Sequence, residues 1–218
     1  MNIHLLNLSF VQAYLIETPT GLVLVDCGVP RQEGAILRAI EQLGRGGLKL
    51  IFITHAHADH YGSAAALARL TGAPVAIHRA DAQAMANGET SVRGSKRLRR
   101  TLTSLMLRLD PVTPVQADVL LDDGDSLAEY GVPGVVVHTP GHTSGSCCLV
   151  LGDGSGFVGD LVSAGRKPHL QHAFVEDAEQ LRQSYIRLRE LKLRKVYAGH
   201  GQRVLAGEEL ERLIDEAY

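Results

Sequence analysis

The chain has 218 residues, of which 45% are hydrophobic and 21% charged, an ordinary composition for a globular protein. Its formal net charge of -2 excludes a general attraction to nucleic acid or to an anionic membrane. No apolar run approaches the roughly 20 residues that span a bilayer, and the amino terminus carries no secretory signal. The three cysteines, two of them adjacent, do not indicate a disulfide framework. We therefore expect a single domain over residues 1–218, located in the cytoplasm.

Strands and helices alternate in a similar order in both halves of the chain. The first half predicts strands at 11–17, 22–26, 48–54 and 74–78, and helices at about 31–43 and 61–70. The second half predicts strands at about 118–121, 134–138, 146–151, 156–160 and 195–198, and helices at about 177–191 and from 207. Two sheets packed face to face, with helices outside, accommodate this order.

Residues 79–117 are helical in composition and are the best candidate for an insertion that shapes a substrate site. Within them, the predicted helix 94–109 pairs a leucine face with basic residues that include Arg97 and Arg100. One interpretation is a core-packing helix with a solvated charged face. The other is a lid, or the surface of a homodimer, that steers an anionic substrate.

The residue type that stands out is histidine, concentrated in His55-Ala56-His57-Ala58-Asp59-His60 directly after the apolar strand 48–54. In extended backbone, residues two apart point the same way, so His55 and His57 can reach one metal ion. Asp59 and His60 lie past the bend and can face a second ion. Imidazole and carboxylate groups are suitable zinc ligands. The alternative is a set of surface histidines on a polar loop.

Three further candidate ligands stand beside glycines at predicted strand ends. They are His142 in Pro140-Gly141-His142, Asp160 after Gly159, and His200 between Gly199 and Gly201. Glycine allows close backbone approach, and a strand end is a rigid support for a ligand.

Asp26 in Val25-Asp26-Cys27-Gly28, the His55–His60 segment, His142, Asp160 and His200 follow one another in the order of the five motifs of the metallo-β-lactamase fold superfamily. The chain resembles that superfamily over residues 26–200, and its full histidine set looks most like the glyoxalase II, lactonase and RNA-processing branches. The resemblance implies an α/β fold, a four-layer αββα sandwich with the metals in a cleft at one sheet edge.

The resemblance also implies a role for each candidate. One ion would be held by His55, His57 and His142, and a second by Asp59, His60 and His200, with Asp160 bridging the two. Asp26 would order the histidine loop through hydrogen bonds; its alternative is a plain turn residue. The candidate catalytic residues are therefore Asp26, Asp59 and Asp160.

Two zinc ions about 3.5–4 Å apart would give a bridging hydroxide near neutral pH. The leading hypothesis is that this hydroxide attacks a small ester, thioester, lactone or amide. Iron or manganese could replace zinc. The alternatives are a mononuclear iron dioxygenase of the persulfide type, a phosphodiesterase on the same scaffold, and a non-catalytic metal-binding protein.

Five further residues are candidates for contact with a small-molecule substrate. Tyr61 follows the histidine segment and is either a hydrogen-bond donor to substrate or a packing residue. The other four follow Asp160 and are predicted to line the mouth of the cleft: Arg166, Lys167, His169 and His172.

Overall fold

The computed structural model of the chain describes residues 1–90 and 111–218. The predicted helix 94–109 lies outside the described residues, so the lid and dimer interpretations stay predictions. The described part of the candidate insertion consists of a helix at Arg79–Ala86 and irregular segments that lead toward a strand at Val119–Leu121.

The elements follow the predicted order closely. The strands are β1 (Ile3–Leu8), β2 (Val11–Thr18), β3 (Gly21–Val25), β4 (Leu48–Ile53), β5 (Val75–His78), β6 (Val119–Leu121), β7 (Gly134–His138), β8 (Cys147–Leu151), β9 (Ser155–Ala164), β10 (His169–Leu170), β11 (Lys195–Gly201) and β12 (Leu205–Ala206). The helices are α1 (Glu33–Leu43), α2 (Ala58–Tyr61), α3 (Ala64–Thr71), α4 (Arg79–Ala86), α5 (Ala178–Glu190) and α6 (Gly207–Ala217). Among the described residues, no helix is long and apolar enough to cross a membrane.

Hydrogen bonding links the strands into one continuous path, in the order β6-β5-β4-β3-β2-β11-β9-β8-β7. Strands β3 to β6 are parallel to one another, and β9 is parallel to β11. The two halves of this path meet at β2 and β11, where Val11 pairs with His200. A candidate ligand therefore lies at the junction itself.

Within residues 1–90 and 111–218, three hydrophobic cores separate four layers. The middle core joins Tyr14 and Phe52 of the first half to Leu149 and Phe157 of the second half, so the two halves of the sheet pack face to face. A second core lies under α1, α3 and α4, and a third under α5 and α6. This is the predicted αββα arrangement.

Adjacent strand residues enter different cores because side chains alternate across a sheet. In β3, Leu24 faces the helices while Val25 faces the middle core. In β8, Cys147 points between the two halves of the sheet and Cys148 points toward α5 and α6. Both thiols are buried, as expected of small strand residues.

The predicted helix 61–70 is instead two helices, α2 and α3, separated at Gly62 and Ser63. A Cβ on Gly62 would lie 2.5 Å from the Pro30 nitrogen, so only glycine fits against that turn. The Ser63 hydroxyl donates to the Val29 carbonyl at 2.7 Å. The break therefore fastens the histidine segment to the loop after β3. Strands β1, β10 and β12 were not predicted, because their short or mostly half-exposed runs lack clear alternation.

Replacing Tyr14 by Phe should lower the free energy of unfolding by about 1–2 kcal/mol, because the Tyr14 hydroxyl donates to the buried Ala198 carbonyl at 2.6 Å. Urea denaturation measures this difference. Tyr218→Phe is the matched control, since that ring is 54% exposed at the carboxyl terminus. Equal stability of the Tyr14 variant and the parent would show that this bond does not fasten β2 to β11.

Candidate metal centre

The histidine-rich segment changes conformation at His57. That residue is extended (φ -103°, ψ 145°) and caps α2, and the His60 N–H donates to its carbonyl at 2.9 Å. Strand β4 ends at Ile53, a bend follows in which the His57 N–H donates to the His55 carbonyl at 3.0 Å, and the backbone is helical from Ala58. This change of direction separates His55 and His57 from Asp59 and His60.

Three imidazoles converge at the first group of candidate ligands. His57 Nδ1 lies 3.1 Å from His55 Nε2 and 3.0 Å from His142 Nε2, and all three rings are buried. Ligands placed tetrahedrally at about 2.05 Å from zinc are about 3.3 Å from one another. The nitrogens therefore have nearly the spacing of ligands around one ion.

The second group contains Asp59, His60 and His200. His200 Nε2 lies 3.3 Å from Asp59 Oδ2 and 3.2 Å from Asp160 Oδ2. Asp160 also approaches His60 Nε2 at 3.2 Å and His142 Nε2 at 3.6 Å. The Asp160 carboxylate thus lies between the two groups and touches members of both.

Asp160 and His200 do not stand at strand ends, contrary to the sequence prediction. Asp160 lies inside β9 and His200 inside β11, where the register between these parallel strands shifts twice. Such bulges redirect side chains without ending a strand. A Cβ on Gly199 would lie 2.5 Å from His60 Cε1 and 2.7 Å from Asp160 Oδ1, so the bulge requires glycine at that position.

The donor set fits one or two bound cations. His60 Nε2 and Asp160 Oδ1 are fully buried and form no hydrogen bond, although they lie 3.2 Å apart. Buried polar atoms without a hydrogen bond are costly and uncommon in proteins. Two such atoms in one cluster therefore indicate that a cation binds between them. Imidazole nitrogens with carboxylate oxygens are a set that suits zinc, iron or manganese.

The two groups differ in charge. Burial lowers the pKa of His55 well below its usual value and that of His142 to about 3, so both imidazoles are neutral donors. Burial alone would also lower the pKa of His60 and His200. The nearby aspartates, Asp160 above all, raise these pKa values instead, to about 10 for His60 and about 12 for His200. The aspartates therefore stabilise positive charge at the second group.

Asp26 fixes which nitrogen each of two rings presents to the cluster. Its Oδ2 accepts from His60 Nδ1 at 2.8 Å and from the Thr54 hydroxyl at 2.9 Å. Because the Thr54 hydroxyl donates to Asp26, it accepts from His55 Nδ1, which lies 3.0 Å away. The Nε2 atoms of His55 and His60 are then left to face the cluster.

Sequence reasoning missed Asp81, a buried acid in the first turn of α4. Its carboxylate accepts from the Ala56 and Gly145 N–H groups at 2.7 and 2.6 Å, and from the Thr143 hydroxyl at 2.7 Å. Asp81 thus connects the loop of His55 and His57 to the loop of His142. No local pattern marks it, since the three partners are 25 to 64 residues away.

The prediction that Tyr61 donates a hydrogen bond to substrate is wrong. Its ring is fully buried, and its hydroxyl donates to the Glu89 carbonyl at 2.7 Å. The Thr90 hydroxyl accepts from the neighbouring Ala58 N–H at 2.9 Å. Tyr61 is therefore a packing residue that holds residues 89 and 90 against the histidine segment.

The four residues predicted at the mouth of the cleft lie after β9. Arg166 and Lys167 are exposed, and His169 Nδ1 lies 3.1 Å from the Lys167 carbonyl oxygen. The exposed His172 packs edge to face on Tyr185. Their contact with substrate stays a prediction.

Two aromatic residues missed by sequence reasoning border the cluster. The Phe10 ring, 56% exposed, stacks beside His200 with centroids 6.0 Å apart, and the Phe10 carbonyl accepts from His200 Nδ1 at 3.0 Å. The Phe174 ring lies edge to face with His57 at 6.2 Å. Each ligand group therefore has an apolar neighbour.

Comparison with known proteins identifies the family. The profile of the Metallo-beta-lactamase superfamily matches residues 6–200. The probable metallo-hydrolase YflN of Bacillus subtilis (strain 168) is 26% identical over 223 residues, which cover 91% of this chain and 83% of that protein. The solved structure of TTHA1623 in a di-iron-bound form has a TM-score of 0.74 and 25% identity, and the match covers 98% of both chains.

A further relative carries a named activity. The human acyl-coenzyme A thioesterase MBLAC2 is 34% identical over 122 residues, which cover 53% of this chain but only 42% of that protein. The profile match extends over most of the chain and includes every candidate ligand. The chain therefore belongs to the metallo-beta-lactamase superfamily and is one of its metal-dependent hydrolases.

Proposed function

We propose that the chain is a binuclear hydrolase that holds two metal ions, zinc by preference, and cleaves a small ester or thioester, with lactones and amides as related substrates. The observation that carries the proposal is the position of Asp160, whose carboxylate contacts His142 of the first group and His60 and His200 of the second. A carboxylate shared in this way is suited to bridge two ions.

The residues of the first group act as fixed ligands, and His55 and His142 are neutral imidazoles. His55, His57 and His142 are at most 4% exposed, so they are shielded from water and held by packing. When bound, the two ions supply Lewis-acid activation of water and of a substrate carbonyl. Asp26 keeps the rings of His55 and His60 oriented through its hydrogen bonds.

The second group contains the part of the cluster that is exposed to solvent. The side chains of His200 and Asp59 are 20% and 25% exposed, in contrast to the buried first group. Burial alone would raise the pKa of Asp59, but the His60 charge and the hydrogen bond from His200 lower it to about 2. Asp59 is thus a carboxylate at neutral pH, on the more exposed side of the cluster, where it is suited to hold a cation.

The surroundings favour a substrate with an apolar acyl group. Phe10 stands exposed beside His200, on the same open side, and Phe174 borders His57. The named thioesterase activity of the human relative supports the same substrate class. A mononuclear iron dioxygenase would use a subset of these ligands and would leave the others without a metal to hold.

Metal removal tests the reaction class. Dialysis against a chelator should abolish hydrolysis of an acyl thioester, and about two equivalents of zinc should restore it, because each ligand group holds one ion. The substrate panel contains thioesters of increasing acyl length, an ester, a lactone, a β-lactam and a phosphodiester. Restoration by one equivalent of iron, with uptake of oxygen, would instead identify the dioxygenase. Turnover of the phosphodiester alone would identify a phosphodiesterase.

Asp160→Ala should reduce kcat/KM by roughly 100-fold or more, equivalent to about 2.7 kcal/mol, because it removes the carboxylate shared by the two groups. Metal analysis of the same variant should show the loss of at least one ion per chain. Asp153→Asn is the control, because Asp153 lies just before the same strand and its hydrogen-bond partner is Ser155 rather than a candidate ligand. A variant at Asp160 that kept both ions and full activity would refute the shared-ligand assignment.

A further inference from the structure

Asp81 is a buried acid close to the cluster that the proposed reaction does not use. Only 3% of it is exposed, yet its carboxylate accepts three hydrogen bonds, at 2.6 to 2.7 Å. Hydrogen bonds to an ionised group are among the stronger ones in proteins. Their donors lie on two loops that are far apart in the sequence.

The first of these loops carries His55 and His57, and Asp81 Oδ2 holds the N–H of the residue between them, Ala56. The second loop carries His142. Asp81 binds this loop at the residue after His142, through the Thr143 hydroxyl, and again at the Gly145 N–H. The carboxylate therefore fixes the distance between the backbones that supply the three histidines.

The fit between Asp81 and the second loop is close. A Cβ on Gly145 would lie 2.5 Å from Asp81 Cγ, so a side chain at that position would displace the carboxylate. The Thr143 hydroxyl also lies 2.8 Å from the Ser146 hydroxyl, which accepts from the Thr143 N–H at 3.0 Å. The loop is thus folded around the acid.

We propose that Asp81 is the positioning residue of the three-histidine site: it sets the place of His142 relative to His55 and His57, and so determines the affinity of that site for its ion. The proposal rests on the binuclear centre proposed above. Asp26 and Asp81 then have different roles. Asp26 orients the rings of His55 and His60, whereas Asp81 holds the loop of His55 and His57 against the loop of His142.

The two sites can be studied one at a time. His200→Ala disables the second group and leaves the three-histidine site, whereas His142→Ala disables the three-histidine site and leaves the second group. Zinc affinity is measured in each background by competition with a chromophoric chelator, with no substrate present. Asp81→Asn is then added to both backgrounds. Asparagine keeps the shape of the side chain, but its NH2 group replaces an oxygen that accepts hydrogen bonds from the two loops.

In the His200→Ala background, Asp81→Asn should weaken zinc binding about 10- to 100-fold, the usual effect of losing a group that orients metal ligands. In the His142→Ala background it should change affinity by less than about 2-fold, because the Asp81 carboxylate forms none of its three hydrogen bonds with Asp59, His60 or His200. Asp118→Asn is the control in both, because Asp118 accepts the Val75 N–H at the opposite end of β5. It should leave both affinities unchanged.

If Asp81→Asn does not fold, Thr143→Val removes one of the three donors while keeping the side-chain shape, and it should weaken zinc binding in the His200→Ala background only. An equal loss of affinity in both backgrounds, or a loss in neither, would overturn the positioning role. Failure of both backgrounds to bind zinc would overturn the metal centre and this inference together. Zinc affinities that Asp81→Asn leaves unchanged would overturn the inference alone.

Discussion

The contacts of one buried carboxylate, that of Asp160, are the constraint on which the rest of the site depends. It reaches His60 from the first half of the sheet, and His142 and His200 from the second. A carboxylate with an oxygen that forms no hydrogen bond is costly to bury unless a cation compensates it. The register shifts between β9 and β11 and the glycine at position 199 leave room for this carboxylate beside His60.

The fold supplies that arrangement by joining two similar halves at β2 and β11. The parallel strands of the first half bring Asp26 and the His55–His60 segment to one edge. The second half brings Asp160 and His200 to the same edge through irregular pairing of β9 with β11. The middle core between the halves is apolar, so the cluster of polar groups is confined to the edge where both halves end.

Local signals in the sequence predict the strands, the helices and the candidate ligand residues, whereas the four-layer order is implied by the family resemblance. Alternating apolar strands indicate the cores, and histidines beside glycines indicate close approach to an ion. The role of Asp81 is not predicted, because an acid in the first turn of a helix is common and its partners are distant in the sequence. The strand-end placement of Asp160 and His200 was wrong because periodicity does not report a bulge. The role of Tyr61 is not evident from the sequence for a similar reason, because the carbonyl that accepts its hydrogen bond, that of Glu89, lies 28 residues away.

A crystal structure of the zinc-loaded protein, with anomalous scattering measured at the zinc edge, tests the central claim most directly. Two peaks about 3.5–4 Å apart are expected, one within His55, His57 and His142, the other within Asp59, His60 and His200, with Asp160 between them. A single peak within one group, or two peaks with Asp160 directed away from both, would contradict the shared carboxylate on which the account depends.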